Sequence, residues 1–164
     1  MPTDPLRDLY IEQLQDMHSA CTQSHGMTRR LAEAATNEDL RNALLDGVRG
    51  IERGRDTMDQ IARAHGADAR GEHCKGMEGL VDIPQADVFD ETYTDDDTRD
   101  AAIIVQYQRM AHYAIAGYGA IRAFAGRLGL EAERDAAQDC LDKSYDGDRR
   151  FTDIATGEVN PQAV

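Results

Sequence analysis

The sequence predicts an all-α chain folded as a four-helix bundle with one long crossover, and three observations predict it. Apolar residues recur every three or four positions through four long stretches. Cap and stop residues bound those stretches. One weakly patterned connection, long enough to cross a bundle, separates the second stretch from the third.

The first helix is expected over about residues 5–35. Asp4-Pro5 is an N-cap followed by proline at the first helical position, and Leu6, Leu9, Tyr10, Leu14, Met17 and Cys21 follow at helical spacing. The second is expected over 37–65. Thr36 is read as its cap, with Asp39 completing a shortened capping box, and Leu40, Leu44, Val48, Ile51, Met58 and Ile61 lead to a stop at His65-Gly66. Residues 66–97 form the crossover, with a short fifth helix around Cys74–Val81, then Pro84 and the acidic run Asp95-Asp96-Asp97. The third long helix, 98–128, starts at Thr98 and runs through Ala102, Val105, Met110, Ile115, Tyr118 and Ile121 toward Gly129. The fourth, 130–155, carries Cys140, Leu141, Ser144, Asp148, Phe151 and Ile154, and the tail Gly157–Val164 is expected to fray. Two helical hairpins joined by one long crossover make the ferritin-like arrangement, and 164 residues fit it as a single domain.

Charge limits the partners. With 31 acidic against 18 basic residues the net charge is −13, so the overall field repels phosphate backbones and anionic lipid, which argues against nucleic acid and membranes. The start Met1-Pro2-Thr3-Asp4-Pro5 has neither a basic nor an apolar segment, and no stretch reaches the ~18 apolar residues of a membrane span; a cytoplasmic location is expected. Cys21, Cys74 and Cys140 lie far apart and are odd in number, which suits free thiols. None of the five histidines has Glu or Asp three positions ahead of it, so the Glu-x-x-His pairs that hold two metal ions in ferritin-like bundles are absent.

Cys74-Lys75-Gly76-Met77-Glu78-Gly79-Leu80 resembles the Cys-x-Ala-Met-Glu-Gly-Leu segment of the YciE/YciF ferritin-like stress proteins. Arg99-Asp100-Ala101-Ala102-Ile103-Ile104, His112-Tyr113, Tyr118-Gly119, Asp16-x-His18-Ser19-Ala20, Thr36-Asn37-Glu38-Asp39-Leu40 and Phe151-Thr152-Asp153-Ile154-Ala155 fall in the same register, so the resemblance covers roughly residues 5–157. It implies a helical bundle, usually a homodimer, associated with bacterial stress responses and often carrying a di-metal centre of ferroxidase type. Carried over residue by residue, the ligands of that centre mostly fail. Glutamates or their partners are replaced by Cys21, Gly50, Gly54, Ala111, Ala114 and Ser144, and Asp148 alone keeps a carboxylate.

Such replacements remove roughly several tens of Å³ at each position, and unfilled space destabilises a core. The helices could close up across Gly47, Gly50 and Gly54. Met17, Tyr107 and Tyr145 could swing inward, or a small molecule could occupy the space. The expected outcome is a small, mainly apolar space bounded by Cys21, Gly50, Gly54, Ala111, Ala114 and Ser144, in which Ala111→Leu and Gly54→Ala are tolerated.

The remaining candidates have plain readings beside sharp ones. His18 and Cys21, one turn apart, suit a soft two-ligand site or a buried thiol beside a hydrogen-bonded histidine. Together with His112 and Asp148 they are the candidate metal ligands. Tyr107, Tyr113 and Tyr118 read as core aromatics with satisfied hydroxyls. Arg49, Arg53 and Arg55 read as solvated partners of aspartates, and Cys74 as a packing residue before a redox one. The reading favoured is a non-catalytic stress-associated protein acting by association or by binding a small ligand in the bundle core, with no cofactor. The alternative is a divalent-metal protein with an altered site, and a Cys21 catalyst comes third. A homodimer is expected, because Met77, Leu80, Val81, Ile83, Val88 and Phe89 of the crossover supply more apolar surface than four inward stripes need.

Overall fold

The computed structural model describes residues 4–164. Met1–Thr3, part of the segment read above as lacking a targeting leader, lie outside the described residues. Five α-helices are present among the described residues: α1 Pro5–Ala34, α2 Glu38–Ala64, α3 Lys75–Pro84, α4 Asp96–Arg127 and α5 Glu131–Ile154, with π-helical turns at Gln85–Asp90 and Ala155–Val159. No described helix is long and apolar enough to cross a membrane.

Local chemistry accounts for most boundaries. Asp4 accepts from the Arg7 amide and Pro5 opens α1. Gly66 and Gly129, at φ +72° and +73°, supply the left-handed turns that end α2 and α4. Two starts differ from the expected ones. Asn37, not Thr36, caps α2 by accepting from the Leu40 amide at 2.9 Å, because the Thr36 hydroxyl is committed to Asp100 at 2.7 Å. Asp95, not Thr98, caps α4; Thr98 is the residue being capped, its amide and hydroxyl both donating to the Asp95 carboxylate.

The three residues between α1 and α2 force an antiparallel hairpin, and α4 with α5 forms the second. These two pairs pack tightly, α1 also lies along α4, and α2 meets α5 more sparsely. The core runs through Tyr10, Leu14, Met17, Leu31, Leu40, Leu44, Met58, Ile103, Ile121 and Phe151, all nearly inaccessible. The tail does not fray as expected. After α5 it continues as the π-helical turn, which packs on α4 with Val159 fully buried.

The crossover lies on α1 and α4. Cys74 caps α3 through its sulfur, which accepts from the Met77 amide at 3.3 Å and donates to Tyr113 Oη at 3.0 Å; Tyr113 in turn donates to Asp16 at 2.8 Å. Ser19 and Gln23 of α1 bind the Cys74 backbone. Cys74 is thus an anchor between three helices, and burial pushes its thiol up from the ordinary value. Met77 and Val88 are buried against the chain's own bundle, Leu80, Val81 and Phe89 are partly buried, and Ile83 alone of the six is exposed. The apolar surplus assigned to this segment is therefore largely used within the chain.

Candidate functional site

Gly47, Gly50 and Gly54 lie on one stripe of α2 at spacings of three and four, and Cys140, Ser144 and Gly147 make the matching stripe on α5. The two small-residue stripes face each other and leave the space between them unfilled. The result is a cavity of about 590 Å³, open between α2 and α5 and floored by α1 and α4. That volume lies inside the range typical of small-ligand sites, roughly 300–1,000 Å³. All six small positions singled out from the sequence, Cys21, Gly50, Gly54, Ala111, Ala114 and Ser144, line it.

Part of the vacated volume is nonetheless refilled, by two tyrosines of α4. Tyr107 reaches Gly47, where a Cβ would lie 2.6 Å from its hydroxyl, and Tyr118 reaches Gly54, where a Cβ would lie 2.1 Å from its hydroxyl. Met17 also turns inward and is fully buried, whereas Tyr145 stays 44% exposed. A Cβ at Gly54 would accordingly enter the space held by Tyr118 although the residue borders the cavity, and the expectation that it tolerates alanine is corrected. At Gly50 a Cβ would meet only the Arg53 guanidinium, at 3.8 Å.

The wall chemistry is mixed: the lining includes charged side chains such as Asp46, Arg53, Asp139 and Lys143, and the thiols and phenols among it are weak acids. The thiol of Cys21 lies 3.4 Å from Tyr118 Oη, and burial pushes it up to about 11. Tyr118 is likewise raised by burial and by the two thiols near it, Cys21 and Cys140. Burial also raises Cys140, which is only partly covered. These groups are neutral near pH 7 and do not make an activated nucleophile. Treatment of the native chain with iodoacetamide at pH 7.5 is expected to label Cys140 first, about tenfold or more ahead of Cys21 and Cys74; peptide mass spectrometry that found Cys21 reacting first would contradict this placement.

The four candidate metal ligands do not converge. Cys21 is in the cavity wall. His18, one turn before Cys21 on α1, is half-buried outside the cavity lining, with Asp59, Arg55, Arg70 and Asp68 near it, and burial lowers its pKa. His112 and Asp148 pair with each other at 3.1 Å across α4 and α5, with the imidazole 61% exposed and outside the cavity. Among the described residues no three His, Cys, Asp or Glu side chains are placed to hold one metal ion. The di-metal centre implied by the resemblance does not fit the donors present, since one thiol and one hydroxyl among Gly and Ala cannot ligate two hard cations. Histidine spacing along a single helix carried no information on which neighbour each ring would meet.

The hydroxyls of the α4 tyrosines were only partly anticipated. Tyr113 and Tyr118 have partners, but Tyr107 Oη has no protein hydrogen bond among the described residues. Of the three arginines read as partners of aspartates, Arg49 pairs with Asp46 and Arg55 lies 3.9 Å from Asp56, while Arg53 has no carboxylate partner among the described residues.

Comparison with known proteins agrees with this architecture. The crystal structure of the Escherichia coli stress protein YciF is similar, with a TM-score of 0.86 and 28% identity over 99% of this chain and 100% of that one. YcfI of Rhodopseudomonas palustris is also similar, with a TM-score of 0.83 and 25% identity over 90% of this chain and 92% of that one. In sequence the chain is 31% identical to YciF of Escherichia coli strain K12 over 163 residues, covering 96% of this chain and 95% of that protein. With residues 5–164 matching its model from end to end of the bundle, the chain belongs to the DUF892 family, a domain of unknown function that includes this YciF-like ferritin-like bundle.

Proposed function

We propose that this chain is a non-catalytic, stress-associated member of its family that binds a small apolar ligand in the bundle core. The observation that carries the reading is the cavity of about 590 Å³ lined by all six small positions that stand where metal ligands would be. The cavity is open at one side and mainly apolar on its floor, so an apolar occupant would displace water from that floor and gain transfer free energy. The metal-binding alternative is less well supported, because His112 and Asp148 pair with each other outside the cavity and, among the described residues, no three donors come together around one point.

A neutral fluorophore that brightens in apolar surroundings, N-phenyl-1-naphthylamine, tests the reading. The chain has no tryptophan, so excitation above 300 nm meets little protein background. Saturable binding with one site per chain is expected, weakened about tenfold or more by Ala111→Leu and by Gly50→Leu, whose side chains enter the cavity. Unsaturable binding, or equal binding by both variants, would rule the reading out. Association is carried beside it as a homodimer, as the resemblance to the YciE/YciF proteins implies. Light scattering is expected at twice the chain mass, and a monomer at tens of micromolar would remove that part.

A further inference from the structure

The cavity's polar groups restrict what it can hold. Six hydroxyls line it, on Ser24, Thr28, Thr57, Tyr107, Tyr118 and Ser144. Ser24, Thr57 and Ser144 donate to carbonyls of their own helices, and Tyr118 is paired with Cys21. Two have no protein partner among the described residues. Thr28 Oγ1 is fully buried. Tyr107 is 9% exposed, its ring stacked on Phe151 at 4.1 Å between centroids and 24° between planes, and its hydroxyl is set against Gly47 of the cavity wall.

Tyr107 is mostly buried, but its hydroxyl is not among the fully enclosed unpartnered atoms and stays accessible in the cavity wall, and a Phe at position 107 would make the same stack without it. The Tyr107 hydroxyl is therefore a donor held in a fixed place for something the chain does not itself supply. Much of the surrounding floor, Met17, Ala20, Met110 and Ala111, is apolar, as is Met77 of α3 beside it. The charges near Tyr107 disfavour an anion there. Asp148 is close enough to raise its pKa further after burial has done so, to about 12. Of the cations lining the cavity, Arg150 is paired with Asp46 and Lys143 with Asp139, both at 2.6 Å, while Arg53, without a carboxylate partner among the described residues, lies beside Gly50, one turn of α2 from the Gly47 that Tyr107 reaches.

Resting on the ligand-binding reading above, we propose that the cavity takes a small, neutral, mainly apolar carbonyl compound, whose carbonyl oxygen accepts the Tyr107 O–H while its apolar body lies on the methionine and alanine floor. Ketones, esters, amides and quinones share this chemistry.

The test compares two probes on three proteins. The ketone 6-propionyl-2-(dimethylamino)naphthalene and its carbonyl-free analogue 2-(dimethylamino)-6-propylnaphthalene are titrated into the parent chain, Tyr107→Phe and Ala111→Leu. Tyr107→Phe is expected to weaken the ketone about 3- to 10-fold and the analogue less than about twofold, the range one net hydrogen bond provides. It should leave the thermal midpoint unchanged, since it breaks no bond within the protein. Equal loss for both probes, or no loss for either, overturns the carbonyl inference while leaving the cavity reading intact if Ala111→Leu still weakens both. Failure of both probes to bind the parent overturns both. A readout that needs no variant is the emission of the bound ketone, which moves to longer wavelength when its carbonyl accepts a hydrogen bond; emission typical of an unbonded carbonyl in the parent overturns the inference as well.

Discussion

Asp100→Ala is expected to lower the free energy of unfolding by about 3 kcal/mol. Asp100 is fully buried on α4, yet its carboxylate serves the turn between α1 and α2: it accepts from the Thr36 amide at 3.0 Å, the Thr36 hydroxyl at 2.7 Å and the Asn37 amide at 2.7 Å. It therefore places a negative charge at the N-terminus of α2, where the helix dipole favours one. Removing it strands three donors that no other side chain reaches, each a loss of about 1 kcal/mol or more. Asp100→Asn keeps an acceptor but turns an amide donor toward other donors, so an intermediate loss is expected. Thr36→Val removes a single bond and should cost about 1 kcal/mol. Urea denaturation with constant slope measures the series, and an Asp100→Ala chain within 1 kcal/mol of the parent would show that solvent replaces the carboxylate freely.

Gly54→Ala should destabilise by about 1–2 kcal/mol, while Gly50→Ala, one turn earlier on the same helix, should stabilise by up to about 1 kcal/mol. Both changes gain helix propensity, because glycine is about 1 kcal/mol worse than alanine inside a helix. They differ in what the new methyl group meets. At Gly50 it meets open space and the mobile end of Arg53. At Gly54 it would fall 2.1 Å from Tyr118 Oη, on a buried ring with little room to retreat, and would disturb the contact of that hydroxyl with Cys21. Tyr118→Phe removes the offending atom and leaves the next, Cζ, at 3.3 Å. In that background Gly54→Ala should become neutral or stabilising, a coupling of about 2 kcal/mol across α2 and α4. Additive single and double variants would mean that Tyr118 does not occupy the space above Gly54.

Helix extents were legible because their determinants are local. Asp4-Pro5 and His65-Gly66 act through backbone groups within one turn, so the ends of α1 and α2 lie within a residue or so of their expected places. The α2 cap was misplaced by one residue for a non-local reason, since Asp100, 64 positions away, takes the Thr36 hydroxyl that would otherwise have capped. The tail was misjudged in the same way. Nothing in Ala155–Val159 alone shows that Val159 finds a buried site on α4.

For the site, the sequence by itself determined which positions are small, because the register against related bundles points to Cys21, Gly50, Gly54, Ala111, Ala114 and Ser144 without any knowledge of packing. It also determined that carboxylate and imidazole donors are too few for a di-metal centre. Only the tertiary structure decided how the freed volume is divided. Tyr107 and Tyr118 sit eleven positions apart on α4, three turns, and whether each ring fills the gap or leaves it depends on the depth of the α2 surface it meets. Gly47 and Gly54 provide that depth, whereas the space beside Gly50 lies between the two rings and stays open. Side-chain identity is encoded residue by residue, but a cavity is a property of surfaces from four helices at once, so its shape and the one unpartnered phenol in its wall emerge only when those helices are packed.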